Sequence, residues 1–80
     1  MRELVEYMIR ALVDDPDAVE IREYQGERTV VFEVKVADDD MGKIIGRQGR
    51  IAAALRTIVN AAAMKDQKRV SLEILDPLRQ

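Results

Sequence analysis

Residues 43 to 51 are the part of this 80-residue chain whose types and spacing could bind an anion. They read Lys43-Ile44-Ile45-Gly46-Arg47-Gln48-Gly49-Arg50-Ile51, with glycine at both ends of a four-residue loop. Glycine adopts positive φ and lets the backbone approach a ligand without a Cβ in the way. A helix that begins just after Gly49 would add unpaired N–H groups and the positive end of its dipole. The segment therefore predicts a clamp for phosphate groups.

Four polar side chains around the glycines would strengthen such a clamp. Lys43, Arg47 and Arg50 supply mobile positive charges, and Gln48 supplies a neutral hydrogen-bond donor. The alternative is a tight helical corner in which the glycines only permit the turn. A nucleotide-binding P-loop fits poorly, because Arg50-Ile51 stands where that loop requires Lys followed by Ser or Thr. A Rossmann loop also fails, because the segment follows a helix and lacks the G-x-G start.

Aliphatic side chains flank the loop on both sides. Ile44, Ile45 and Ile51 are either core residues of the corner or, for some of them, the floor of a groove for unpaired bases. Stacking on aromatic rings is not expected, since the three aromatic residues are far from this segment in sequence: Tyr7, Tyr24 and Phe32. Their distribution argues against an RRM-like sheet platform, which needs exposed aromatic side chains.

The composition excludes several kinds of catalytic site. The chain has no histidine and no cysteine, which removes disulfide scaffolds, zinc sites, cysteine nucleophiles and Ser-His-Asp triads. The three carboxylates of Asp38-Asp39-Asp40 cannot converge on one metal ion without further ligands, so they are predicted to cap the following helix. We therefore expect no enzyme activity, no bound metal and no cofactor.

The charges are distributed unevenly along the chain. The net charge is −2, yet residues 43–69 carry seven cations and one acid, for a net charge of +6, and the rest carries −8. This asymmetry would focus positive potential on one part of the surface. The alternative is that these residues are ordinary solvated surface charges.

The N-terminus and the hydropathy predict a soluble protein. Glu3 and Glu6 lie within the first apolar pattern, so it does not read as a signal peptide. No apolar run reaches membrane-spanning length. The lack of thiols is compatible with a reducing compartment. We expect a cytoplasmic protein without membrane contact.

Apolar periodicity predicts six elements in the order α-β-β-α-α-β. They are a helix over residues 4–13, strands over 19–24 and 30–36, helices over 41–45 and 50–64, and a strand over 70–74. A two-helix crossover should leave the second and third strands parallel. The expected fold class is α+β: a three-stranded mixed sheet covered on one face by three helices, in one domain of residues 1–80 that Pro77 closes.

The second of the two consecutive helices carries more apolar residues than one buried stripe needs. The expected stripe is Ile51, Leu55, Ile58, Val59 and Ala62. Further apolar residues lie outside it: Ala53, Ala54, Ala61, Ala63 and Met64. Either the alanines reflect helix propensity alone, or they form an interaction face on which another helix can approach closely.

The segment from Asp39 to Ile51 resembles the KH-domain motif, an I-G-x-x-G loop followed by a helix that begins with an aliphatic residue. The element order is similar to that of the type II, prokaryotic KH arrangement. Coverage of nearly the whole chain by one such module, together with the run Ala52–Ala61, resembles the small bacterial single-KH-domain KhpA family.

The resemblance implies an RNA-binding module that grips about four single-stranded nucleotides. Residues 46–49 would hold the backbone, and Lys65, Lys68 and Arg69 would border the other side of the groove. It further implies self-association and a larger, multidomain KH-containing (KhpB-like) partner. The expected role is that of a low-specificity RNA chaperone or post-transcriptional regulator. The rival hypothesis is a dimerisation subunit with a KH scaffold and little RNA binding, and single-stranded DNA remains open as a ligand.

Overall fold

Six helices and strands follow one another in the predicted order, in a computed structural model that describes residues 1–75. Their bounds are α1 Arg2–Leu12, β1 Glu20–Gln25, β2 Thr29–Lys35, α2 Met41–Ile45, α3 Arg50–Met64 and β3 Arg69–Ile74. Short 3-10 turns precede β1, α2 and α3. Pro77, which was expected to close the domain, lies outside the described residues.

The three strands form a mixed sheet in the order β1-β2-β3. β1 runs antiparallel to β2, with Ile21 opposite Val34. β3 runs parallel to β2, with Phe32 beside Leu72, as expected when the connection passes through two helices. The α+β fold with a three-stranded mixed sheet is thereby confirmed.

The core lies between one face of the sheet and the three helices. The sheet contributes alternate residues, because successive side chains of a strand point to opposite faces. Its members include Ile21, Phe32, Val34 and Leu72 of the strands, Val5 and Ile9 of α1, Ile44 of α2, and Leu55 and Val59 of α3. The largest of these, Phe32, has no exposed surface, and burying a side chain of that size contributes about 1.5–3 kcal/mol.

The buried stripe of α3 differs from the predicted one. Ala52, Leu55, Val59 and Ala63 face the core, whereas Ile58 is 48% exposed. Two apolar stripes lie side by side on this helix. The prediction chose the stripe with the larger isoleucine side chains, whereas the structure buries the stripe that has alanine at both ends. Alanine at both ends of the buried stripe lets α3 pack closely on its neighbours.

An arginine from a helix contacts each outer edge of the sheet. Gly26 N–H donates to Thr29 O. In an antiparallel pair, every second residue of a strand directs its N–H and C=O groups to the neighbouring strand. Counting back from Gly26, the carbonyl of Ile21 therefore points away from β2. Arg2 Nη2 donates to this carbonyl at 2.7 Å.

The other edge is contacted in the same way. Arg69 N–H donates to Arg28 O, and Leu75 N–H donates to Val34 O, so the carbonyl of Leu72 points away from β2. Arg56 Nε of α3 donates to it at 3.1 Å. No helix within residues 1–75 has the length and apolar character needed to cross a bilayer.

Candidate nucleic-acid interface

Gly46 ends α2 and begins the loop. Its N–H donates to Gly42 O at 2.9 Å, and its backbone then turns to φ 76°, ψ 174°. Only glycine commonly occupies that region. A Cβ at this position would lie 2.6 Å from Ile51 Cγ1 and 2.9 Å from Ile51 N. Two independent constraints therefore require glycine here.

The second half of the loop is left-handed. Gln48 has φ 56°, ψ 26°, and Gly49 has φ 75°, ψ 16°. Gly49 N–H donates to Gly46 O at 3.2 Å, and Arg50 returns to right-handed helical geometry at φ −67°. Arg50 N–H likewise donates to Arg47 O, so carbonyls of the loop itself accept hydrogen bonds from both of these N–H groups. The positive end of the α3 dipole lies directly beside the loop and favours anions there.

The side chains of the loop divide by exposure. Arg47, Gln48 and Arg50 are exposed, so two cations and an amide surround the left-handed turn. Ile45 and Ile51 are half-buried and offer apolar surface beside it. Ile44 has no exposed surface, and it packs in the core beneath the loop, where a ligand cannot touch it.

The aspartates before α2 do not cap it, contrary to the prediction. No side chain caps this helix, and Asp40 adopts helical rather than extended geometry at φ −95°, ψ −8°. An N-cap residue ordinarily has extended φ and ψ, which aim its oxygen at the next turn. Asp38 and Asp39 are exposed, while Asp40 is 2% exposed. Within residues 1–75, no three acidic side chains are arranged to hold a metal ion.

The Asp40 carboxylate binds the segment that follows α1. It accepts hydrogen bonds from the backbone N–H groups of Asp14 at 3.2 Å and Asp15 at 3.1 Å, and from Lys43 Nζ at 3.1 Å. Lys43 also pairs with the Asp14 carboxylate. The predicted loop cation Lys43 is therefore already engaged by two acids.

These contacts govern the ionisation of both groups. Burial by itself would raise the pKa of Asp40, but the hydrogen bonds from Asp14, Lys43 and Asp15 outweigh it and lower that pKa. The hydrogen bonds from Lys43 to Asp14 and Asp40 raise the pKa of Lys43. Both groups are charged at neutral pH, so the pair stays intact there.

The remaining predicted site residues lie at the far end of α3. Gln67 is left-handed at φ 56°, and Lys68 N–H donates to Ala63 O at 3.2 Å, which ends the helix. Lys65, Lys68 and Arg69 are exposed around this turn. A helix of 15 residues is about 22 Å long, so these cations are not brought to the loop.

Arg56 lies between the two ends of α3 and was absent from the predicted site. Its contact with Leu72 O places an exposed guanidinium beside the outer edge of β3. It occurs six residues after Arg50, in a run of alanines and aliphatic residues that fits no binding motif. Only the pairing of α3 with β3 reveals its position.

Residues 2–74 match the family model described as "KhpA/KhpB, KH domain". The chain belongs to this family. The predicted resemblance is thereby confirmed, and the loop described above lies within the matched range.

Relatives from several bacteria resemble this KhpA/KhpB member over nearly their whole length. A protein named RNA-binding protein KhpA in Caldanaerobacter subterraneus subsp. tengcongensis is 57% identical, covering 94% of this chain and 100% of the relative. A protein of the same name in Clostridium acetobutylicum is 52% identical with the same coverage. Another in Aquifex aeolicus is 50% identical, covering 95% of this chain and 96% of the relative.

Proposed function

We propose that the chain is an RNA-binding protein that holds a short single-stranded RNA on the loop from Gly46 to Gly49. The observation that carries the proposal is the loop geometry: two glycines at positive φ and a left-handed Gln48 at the start of α3, between exposed Arg47 and Arg50. The proposal is supported by the relatives, which are named RNA-binding protein KhpA.

In the proposed complex, phosphates lie at the positive end of the α3 dipole, next to the Arg47 and Arg50 guanidinium groups. Ile45 and Ile51 provide apolar surface for bases, which must be unpaired to reach it. Ile44 supports this surface from the core. Lys43 is not part of the proposed contact set, because Asp14 and Asp40 hold its ammonium group.

The cations at the far end of α3 complete the proposed site. Lys65, Lys68 and Arg69 would contact a strand that runs along the helix past Arg56. Most of these groups recognise phosphates, which carry no sequence information, so low specificity is expected. This fits a cytoplasmic RNA chaperone or post-transcriptional regulator, in which residues 1–80 act as one binding module without catalysis or cofactor.

The test is a double substitution in the loop, Arg47→Asp with Gln48→Asp. Two carboxylates beside the turn should repel phosphates, so affinity for a fluorescent single-stranded RNA should fall about ten-fold or more in an anisotropy titration at low salt. Circular dichroism should show an unchanged fold, because both side chains are exposed.

The matched control is Arg22→Asp with Gln25→Asp, which makes the same charge change at exposed positions of β1. This control should bind RNA nearly as well as the original chain. Equal affinity of the loop variant and the control would contradict the proposal. A parallel titration with DNA of the same sequence tests whether the 2′-hydroxyl matters.

We propose self-association as a second function, and one surface favours it. Ala54, Ile58 and Ala61 recur at i, i+4 and i+7 on the exposed side of α3, next to Met64. Ile58 is 48% and Met64 is 74% exposed. Small residues around one isoleucine suit the close approach of a second helix, from another copy or from a larger KH-containing (KhpB-like) protein.

Light scattering tests the self-association. The original chain should form a dimer at micromolar concentrations, and Ile58→Glu should dissociate it without loss of helix content. A monomer at all concentrations would exclude the homodimer. Recovery of RNA after cross-linking in cells separates the two functions, because a purely protein-interaction subunit would yield a protein partner without RNA.

A further inference from the structure

Asp40 is the one buried charged residue within residues 1–75. A buried carboxylate is tolerated only when hydrogen bonds replace its lost water. Here three donors do so: the Asp14 and Asp15 amides and the Lys43 ammonium. They come from two regions of the chain, with the amides 26 and 25 residues before Asp40.

These contacts join the end of α1 to the beginning of α2. α2 has only five residues, about 7.5 Å, and a helix of this length is not stable alone. Ile44 anchors its middle in the core, and Asp40 anchors its first turn to residues 14 and 15. Gly46 follows the last residue of α2, so the direction of this short helix sets where the loop lies.

Lys43 belongs to the same anchor. Side chains of a helix tilt towards its N-terminus, and Asp40 lies three residues before Lys43 on that side. The ammonium group is therefore directed away from Gly46, towards Asp40 and Asp14.

We infer that Asp40 is a positioning residue for the RNA-binding loop, with Lys43 as its counter-ion rather than a phosphate contact. The inference rests on the proposed RNA binding and deepens it. Asp40 acts through α2: it fixes the helix against the α1 end, and thereby fixes the loop and the Arg47 and Arg50 side chains that face the phosphates in the proposed complex.

The decisive comparison is Asp40→Asn with Asp39→Asn. Both substitutions remove one negative charge, and Asp39 is exposed one residue away. If only the loss of negative charge mattered, each variant should bind RNA as well as the original chain or better. If Asp40 positions the loop, Asp40→Asn should instead weaken RNA affinity about ten-fold. At metal sites, removing a residue that orients a ligand lowers the affinity by about ten-fold to a hundred-fold, and we expect the lower end of that range here.

The backbone amide resonances of Gly46 to Gly49 provide a readout without RNA. They should shift in Asp40→Asn and stay in place in Asp39→Asn. Affinities are compared at a temperature where both variants are fully folded. Equal or stronger RNA binding by Asp40→Asn, with unmoved loop resonances, would overturn the inference.

Lys43→Met tests the counter-ion role even if Asp40→Asn does not fold. A phosphate contact on a single strand contributes about 0.7 to the slope of log affinity against log salt concentration. Arg47→Met should reduce the slope by about this amount, whereas Lys43→Met should leave it unchanged and lower the midpoint of thermal unfolding. A reduced slope in Lys43→Met would overturn the inference. Absence of RNA binding by the original chain would instead refute the proposed function.

Discussion

The two glycines of the loop have different reasons to be glycine. Gly46 occupies a backbone region closed to other residues and also lies against Ile51. Gly49 is left-handed, but a Cβ there would meet no atom within 4 Å. The first is limited by conformation and space together, and the second by conformation alone.

Alanine substitutions should therefore destabilise the fold unequally. Gly46→Ala combines strain with a steric clash and should cost about 3 kcal/mol or more. Gly49→Ala should cost about 1–2 kcal/mol, and Gly49→Asn less, since asparagine tolerates left-handed geometry. Urea unfolding gives all three free energies, and equal costs at the two positions would contradict the description of Gly46.

The pKa shift of Asp40 predicts a pH dependence of stability. Its folded-state pKa lies below the ordinary 3.8, so its contribution is present above that value and is lost as pH falls through the lower folded value. The difference in unfolding free energy between the original chain and Asp40→Asn should be constant from about pH 5 to 9 and shrink below about pH 4. Urea unfolding at several pH values checks this; a difference as large at pH 2 as at pH 7 would contradict the assignment.

Residue types and spacing were enough to predict the loop but not its anchor. The pattern that predicts the loop is local, because the glycines at positions 46 and 49 and the cations around them lie within a few residues of one another. The role of Asp40 depends on amides about 25 residues away, and no local pattern distinguishes it from Asp38 and Asp39. The same contact pairs Lys43, which the sequence assigned to the clamp, with two acids.

At the scale of elements, α3 shows what periodicity can and cannot predict. Its length and its end at Met64 were predicted correctly. The buried stripe was not, because two neighbouring apolar stripes have the same period and the packing of α3 on β3 and α2 decides between them. The exposed Ile58 is the consequence.

The end of α3 offers a stabilising substitution. Gln67 occupies left-handed geometry after the last helical turn, where glycine is the most favourable residue. Gln67→Gly should remove about 1–2 kcal/mol of strain and add about 0.5–1 kcal/mol of unfolded-chain entropy. The net gain of about 0.5–1 kcal/mol should raise the thermal midpoint by about 3–6 °C. Asp66→Gly, one residue earlier, should give no gain in calorimetry, and a similar gain there would contradict the explanation.

At the scale of the whole molecule, the order of elements was enough to predict the sheet. Two helices between β2 and β3 require a crossover and hence a parallel pair. The arginines at the sheet edges were not predicted, because they depend on which carbonyls point outwards. Outer strand edges can pair with other chains, and charged side chains oppose this.

Removing both edge arginines should promote association through the sheet. Arg2→Met with Arg56→Met should form larger species at high protein concentration in sedimentation experiments, with increased β signal in infrared spectra. The control is Arg10→Met with Arg22→Met, which removes equal charge from residues that contact neither edge carbonyl. Equal association of the two variants would show that net charge, not edge contact, matters.

The parallel pairing of β2 with β3 also has a consequence for the newly made chain. The hairpin of β1 and β2 is complete once residue 35 has been synthesised, but the second side of β2 has no partner until Arg69–Ile74 follows. Closing such a distant pair is slower than forming a helix or hairpin. The ladder on that side of β2 therefore forms only after α2 and α3 have been synthesised, and the hairpin alone is only marginally stable until then.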